Sequence, residues 1–277
     1  MYYEKQGDGK VQCFLCPHRC VLSPDQTGVC RARKNMDGRL YSLNYDKISA
    51  IAMDSIEKKP LYKFYSGSSI LSVGTFGCNL KCSYCQNHEI AHGNPRLYTI
   101  TSKQLVEQAL SHKNNLGIAY TYNEPGIWYE YVRETSRLAR ARRLKNVMVT
   151  NGYICREPLE ELLKHMDAAN IDLKSFQEDF YRKVCKGTLC HVKESIEAYC
   201  QRCHVEITFL AVPDLNDGLD EMDRLARWLA SLDKKIPLHI LRFRPCYQMA
   251  GHRGQTYEKV LELQEIALKH LWYVYAH

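Results

Sequence analysis

Residues 70–87 read ILSVGTFGCNLKCSYCQN. Ile70 to Phe76 is an apolar run of strand length, closed by Gly77. Cys78, Cys82 and Cys85 follow at once in a C-x3-C-x2-C pattern. Three thiolates in one loop can wrap a cubane and bind three of its four irons. No fourth cysteine follows at short range, so one iron stays open to a ligand that is not protein. Gly74 and Gly77 permit the backbone turns that such wrapping needs. The competing reading is a three-thiolate zinc site completed by His88 or His92.

Outward from this strand, strands and helices alternate. Gly117 to Tyr122, Asn146 to Thr150, Ala168 to Leu173, His204 to Val212 and Pro237 to Phe243 read as further strands, with Trp272 to Tyr275 as a short terminal one. Between them, Thr101 and Gln104 form a capping box ahead of Leu105, Val106, Ala109 and Leu110. Trp128, Tyr131, Val132, Thr135, Leu138 and Ala139 keep helical spacing. So do Glu157 to Met166, a stretch ending near Cys203, the run Met222, Leu225, Ala226, Leu229, and the run Val260, Leu261, Ala267, Leu268. Six β-α units imply a parallel sheet with right-handed crossovers. Six are too few for a closed eightfold barrel. The expected fold class is α/β: a partial (β/α)6 TIM-like barrel over 66–277, with a small cysteine-rich module over 1–65. Ligands then gather at the C-terminal ends of the strands.

The composition, with 45% hydrophobic and 25% charged residues, is that of an ordinary globular chain. No apolar run approaches the roughly 18 residues of a membrane span, and MYYEKQGDGK has no signal-peptide core. A cytoplasmic location is expected, with neither membrane nor nucleic acid as partner. The formal charge of +7 gathers at Arg31, Arg33 and Lys34 and at Arg137, Arg140, Arg142, Arg143 and Lys145. The second group sits where a helix ends, which suits its dipole. In a reducing compartment, thirteen cysteines in tight groups read as metal sites rather than disulfides.

GTFGCNLKCSYCQN resembles the signature of the radical S-adenosylmethionine (SAM) superfamily. The resemblance implies a [4Fe–4S] cluster on Cys78, Cys82 and Cys85 whose free iron chelates the methionine end of SAM. One electron then breaks the C5′–S bond, giving methionine and a 5′-deoxyadenosyl radical that abstracts hydrogen from a substrate. Tyr84 matches an aromatic that the family packs near the adenine. After the second strand, TYNEP (121–125) resembles the segment that holds the SAM amino group, with Asn123 and Glu124 as candidates. Glu124 can accept from an ammonium or cap a helix N-terminus. Tyr122 and Asn123 stand where the general motif has two glycines. Thr150, Asn151 and Gly152 (TNG) and the pair Asp172 and Lys174 (IDLKSF) resemble segments that line the SAM site in activating enzymes of glycyl-radical enzymes. An ion pair at a strand end is the plainer reading of Asp172 and Lys174. Glu206 and Thr208 share a strand face, VPDLND (212–217) resembles the loop beyond it, and His239, Arg242 and Arg244 lie on or after the sixth strand.

CFLCPHRCVLSPDQTGVC carries Cys13, Cys16, Cys20 and Cys30 in a C-x2-C-x3-C-x9-C pattern. Four thiolates can bind zinc, the preferred reading here, or a second [4Fe–4S] cluster, or remain free thiols. Together and in order, these segments resemble the AmmeMemoRadiSam-system radical SAM enzymes, relatives of the pyruvate formate-lyase activating enzymes. In that family a glycine- and cysteine-containing tail follows the last strand; here the sequence closes on YVYAH. The expected function is reductive SAM cleavage serving hydrogen abstraction from an unidentified substrate, either a protein glycine or a small molecule or peptide. A flavodoxin- or ferredoxin-type donor would supply the electron. The alternative is a zinc-stabilised, non-catalytic binding protein.

Overall fold

The structure, a computed structural model, describes residues 2–277. At its centre Ala50–Ser55 (β1) pairs antiparallel with Ser69–Gly74 (β2). Asn115–Tyr120 (β3), Lys145–Thr150 (β4), Ala168–Asp172 (β5), His204–Ala211 (β6), Leu238–Arg242 (β7) and Val274–Ala276 (β8) then follow as parallel neighbours. Neighbour order equals chain order, so every crossover steps the same way and carries its helix to one face. Among the described residues β1 and β8 do not pair, and the barrel stays open. All six expected strands are present, and the terminal one adds a seventh parallel member. β1 was not foreseen. AIAMDS is a half-exposed edge strand whose burial does not alternate, so it carries no period-two signal.

The crossovers are Ser102–Ser111 (α1), Tyr129–Ala141 (α2), Arg156–Leu163 (α3), Leu189–Cys200 (α4), Leu219–Leu232 (α5) and Tyr257–Leu268 (α6). The capping box of α1 forms as the sequence implies: Gln104 N donates to Thr101 Oγ1 at 3.3 Å, and Thr101 N to Gln104 Oε1 at 2.9 Å. The helical stretch before Cys203 is interrupted. Glu178–Phe180 and a wide turn over Tyr181–Cys185 end at Lys186, which takes the left-handed φ of 59°. That break lets Cys185 O accept from Lys81 N at 2.8 Å, so the turn braces the cysteine loop.

Before the barrel lie a three-stranded sheet (Tyr3–Lys5, Val11–Cys13, Val21–Leu22) and a hairpin (Arg33–Met36, Arg39–Ser42). Between β1 and β2 the chain crosses the N-terminal mouth of the barrel. Ile56, Leu61 and Phe64 pack there on Ile70 of β2, Ala119 of β3, Val147 of β4 and Ala168 of β5. Each such buried side chain contributes about 1.5–3 kcal/mol, so this segment is a plug. Two of the basic residues near mid-chain are paired: Arg142 with Glu107 at 2.7 Å and Lys145 with Asp167 at 3.0 Å. No helix is long and apolar enough to cross a membrane.

Candidate active site

A cavity of about 520 Å³ opens at the C-terminal ends of the strands. Cys78, Cys82, Tyr84 and Cys85 reach it from the loop after β2, Asn123 and Glu124 from the loop after β3, and Thr150 and Asn151 from the end of β4. Asp172 and Lys174 reach it from the end of β5, Thr208 from β6, and Arg242 and Arg244 from β7. Strand-end placement thus brings most of the sequence candidates to one space.

The cysteine loop is held by backbone geometry. Gly77 has a φ of +89°, and a Cβ there would stand 2.4 Å from Cys30 O; at Gly74 it would stand 2.7 Å from Thr121 O. Leu80 N lies 3.4 Å and Asn151 Nδ2 3.6 Å from Cys78 Sγ, two donors aimed at one sulfur. Burial pushes the Cys85 thiol up to about 11. Cys82 is instead drawn down to about 7, chiefly by the hydrogen bond from Cys185 and further by the Lys174 ammonium, against its burial. Tyr84 is buried with its hydroxyl 3.6 Å from Cys185 Sγ.

The TYNEP segment works as a bracket. Asn123 Nδ2 donates to Gly77 O at 2.8 Å, and its Oδ1 accepts from Thr75 N at 3.0 Å. Glu124 reaches the other way, accepting from Thr150 Oγ1 at 2.7 Å, Asn151 N at 2.8 Å and Gly126 N at 2.7 Å. Burial raises its carboxyl to about 7, although those three donors favour the charged form. Glu124 therefore both caps the turn Pro125–Trp128 and faces the cavity. Tyr122 has a φ of 70°, the left-handed conformation that glycine would take at no penalty. Its hydroxyl donates to Asp54 Oδ2 at 2.9 Å, and its ring lies 4.8 Å from Lys59 Nζ, contacts that two glycines could not make.

Asp172 and Lys174 form an ion pair at 3.0 Å. Burial opposes the Lys174 charge, but Asp172 and the nearby Cys82 and Cys185 outweigh it and raise its pKa. Arg242 lies 5.3 Å above the Tyr257 ring.

Glu206 and His239 do not line this cavity. They lie two residues before Thr208 and Leu241, roughly 6.6 Å further down their strands at about 3.3 Å per residue. Glu206 accepts from Tyr62 N at 3.0 Å, Lys63 N at 2.7 Å, His204 Nε2 at 2.9 Å and His239 Nε2 at 2.7 Å. It latches the plug to the barrel. Burial alone would raise its carboxyl; the four donors lower it to about 2. A depressed carboxyl contributes stability that is present above the ordinary 4.5 and lost as pH falls through about 2. Glu206→Ala leaves these donors unpaired, and the expected loss is about 3–5 kcal/mol at neutral pH. Urea unfolding from pH 7 to 2 checks this: the parent should approach the variant on acidification, and parallel curves would contradict the latch.

Several contributors to the cavity were not read from the sequence, among them Lys58, Lys59, Pro60, Asn170 and His277. Asn170 was findable, since it shares a strand face with Asp172. Lys59 and Pro60 come from the plug, whose course over the barrel mouth no local pattern announces. For zinc at the loop, His88 or His92 would have to complete the shell. His88 stacks on Tyr247 with its Nδ1 3.2 Å from Cys85 O, and His92 Nδ1 lies 3.5 Å from Lys81 Nζ. Among the described residues no three metal-capable side chains gather round one ion position. Cys78, Cys82 and Cys85 all border the cavity, and three thiolates of one loop suit a cubane, where each binds a different iron.

The Radical SAM superfamily model matches residues 72–229. The chain is 40% identical over 281 residues to the uncharacterized protein MJ0808 of Methanocaldococcus jannaschii, an alignment covering 99% of this chain and 83% of that one. It is 22% identical over 204 residues to the pyruvate formate-lyase-activating enzyme of Staphylococcus epidermidis, covering 69% of this chain and 80% of the relative. Among solved structures, Streptococcus suis SuiB bound to precursor peptide SuiA shares the fold with a TM-score of 0.59 at 12% identity, over 80% of this chain and 51% of that one. The chain belongs to the radical SAM superfamily. It is an enzyme of that type, and its cofactors are a [4Fe–4S] cluster and SAM.

Proposed function

We propose that Cys78, Cys82 and Cys85 hold the [4Fe–4S] cluster and that the enzyme abstracts hydrogen from an anionic substrate. The observation that carries the first part is convergence: the three cysteines and the residues of TYNEP, TNG and IDLKSF face one cavity. When bound, the cluster supplies the electron that cleaves SAM. The chain's own residues orient the partners. Glu124 is placed to accept from the SAM ammonium, and Asn151 and Leu80 donate toward the Cys78 sulfur. Such hydrogen bonds to cluster sulfurs tune reduction potential. Asn123 fixes the distance between the two loops.

The charge of the lining supports an anionic substrate. Lys58, Lys59, Lys174, Arg242 and Arg244 face the space against Glu124 and Asp172. Lys59 is neutralised by Asp54 at 2.7 Å and Lys174 by Asp172. No carboxylate pairs with Arg242 or Arg244 among the described residues, which leaves two guanidinium groups for a carboxylate or phosphate. The substrate is a small molecule or a peptide segment carrying such a group. To test this, cell extract is fractionated on an anion exchanger, and each fraction is added anaerobically to reduced enzyme and SAM. Stimulation of 5′-deoxyadenosine formation should lie in the retained fractions and be lost with Arg242→Gln/Arg244→Gln. Stimulation confined to the unretained fraction would refute the anionic class.

A further inference from the structure

Cys13, Cys16, Cys20 and Cys30 meet round a gap of about 10 Å³ that shares no lining residue with the active-site cavity. The buried pair Glu206 and His239 is different, because it reaches that cavity through a third side chain. His239 Nδ1 lies 3.1 Å from His277 Nε2, and His277 lines the cavity. Strand register makes this chain of contacts. His239 is paired with Tyr275, so His277, two residues on, shares its face. His277 N donates to Ile240 O at 3.0 Å, and its carbonyl accepts from Arg242 N at 3.2 Å. The Tyr62 ring stands edge-on to both imidazoles, with centroids 4.8 Å from His239 and 5.5 Å from His277. Backbone bonds and packing therefore fix the His277 ring.

The direction of each hydrogen bond follows from the buried end. Four donors hold Glu206 ionised, so at neutral pH its oxygens only accept. His239 is fully buried, and its Nε2, 2.7 Å from Glu206 Oε2, carries a hydrogen. With one proton on each ring, His239 Nδ1 is bare and accepts from His277 Nε2. The His277 hydrogen is then on Nε2, and its Nδ1 is a bare acceptor. Among the described residues no protein group bonds that nitrogen. Burial, and then the neighbouring His239, lower the His277 pKa below the ordinary 6.5, which keeps the ring neutral at pH 7.

A second acceptor belongs to the same lining. Thr208 Oγ1 gives its one hydrogen to Asn170 Oδ1 at 2.8 Å, which leaves only lone pairs for a ligand. An acid group on Arg242 and Arg244 cannot satisfy either acceptor, because an ionised carboxylate or phosphate oxygen has no hydrogen to give. A hydroxyl or amino group can.

We propose that His277 is a specificity-determining residue whose Nδ1 accepts a hydrogen bond from a hydroxyl or amino group of the substrate, and that Glu206 and His239 are positioning residues that set its tautomer. The substrate class narrows to anions that carry such a donor near the acid group, hydroxy acids and amino acids among them. The acid group rests on the proposed contact with Arg242 and Arg244; the acceptor rests on the Glu206–His239–His277 chain alone.

Two measurements test this. The tautomer is read by nitrogen–proton NMR on the full chain with isotopically labelled histidine, reconstituted anaerobically and left oxidised. The ring signals that vanish in His277→Gln should show a protonated Nε2 and a bare Nδ1; a proton on Nδ1 overturns the acceptor. Recognition is read with the extract fraction that stimulates 5′-deoxyadenosine formation, added over a range of dilutions. His277→Phe keeps a ring against Tyr62 but has no acceptor. It should need about tenfold more of the fraction for half-maximal stimulation, the cost of one hydrogen bond. His277→Gln, whose amide can donate to His239 and accept from substrate, should recover most of that loss. An equal requirement in His277→Phe and the parent overturns the role, and so does a loss that His277→Gln does not reduce. If the stimulating fraction is the one that the anion exchanger does not retain, the acid group falls, and the same comparison of variants with that fraction still decides the acceptor.

Discussion

Protein in which Cys78, Cys82 and Cys85 are all alanine is expected to lose about four irons and to form no 5′-deoxyadenosine. All three must go together, because a cubane with two remaining thiolates can persist in a weakened form. The fold should survive. The three residues lie in a loop beyond β2, outside the strand ladder, and the loop is fixed mainly through Gly77, Asn123 and the Cys185 carbonyl. Cys82 is the most enclosed of them, and its truncation removes little volume. Circular dichroism melting should therefore shift far less than metal content does. Retention of the parent's iron and reduced spectrum by a folded triple variant would remove these cysteines from the site.

Glu124→Ala is expected to weaken SAM binding by about 1.5–3 kcal/mol, roughly ten- to 150-fold in Kd, the range for hydrogen bonds to charged groups. The variant also strands Gly126 N, Asn151 N and the Thr150 hydroxyl, so Glu124→Gln, which preserves shape, separates charge from packing. The pH dependence carries the sharper signal. Burial raises the carboxyl to about 7, so below that value it is largely protonated and accepts poorly from an ammonium. SAM affinity should rise as pH increases through about 7 in the parent, and that rise should be absent in Glu124→Gln. Calorimetry across pH 6 to 8 reads both effects. Unchanged affinity in both variants would reduce Glu124 to the cap of Pro125–Trp128.

The strand-end segments were legible in the sequence because their chemistry is local. The C-x3-C-x2-C loop lies within eight residues, and the six strands have apolar runs that alternate with helical periods. Strand direction then sends Glu124, Thr150, Asp172 and Arg242 to one end, so a correct topology assembles the site. Depth along a strand was less legible. Glu206 and Thr208 share a face, and alternation cannot tell that the first meets the plug while the second meets the cavity. The plug was hidden for a related reason: Ile56, Leu61 and Phe64 have no period that separates a mouth-covering loop from an ordinary linker. The unfamiliar Tyr122 and Asn123 became intelligible only from contacts that cross the sequence, to Asp54 and Gly77. The N-terminal cysteines were visible as a group, but their adjacency to the Cys78 loop was not. It depends on Cys30 meeting Gly77 and His18 meeting Asn79, pairs separated by dozens of residues.

The central claim is that the cavity at the C-terminal ends of the strands performs reductive SAM cleavage through Cys78, Cys82 and Cys85. Its most direct test is a single-turnover experiment on anaerobically reconstituted enzyme, reduced with dithionite and mixed with SAM, with methionine and 5′-deoxyadenosine quantified by mass spectrometry. Both products should appear in equal amounts and vanish in the triple alanine variant. Enzyme that carries a reducible cluster and binds SAM, yet yields neither product with or without the retained extract fractions, would contradict the account.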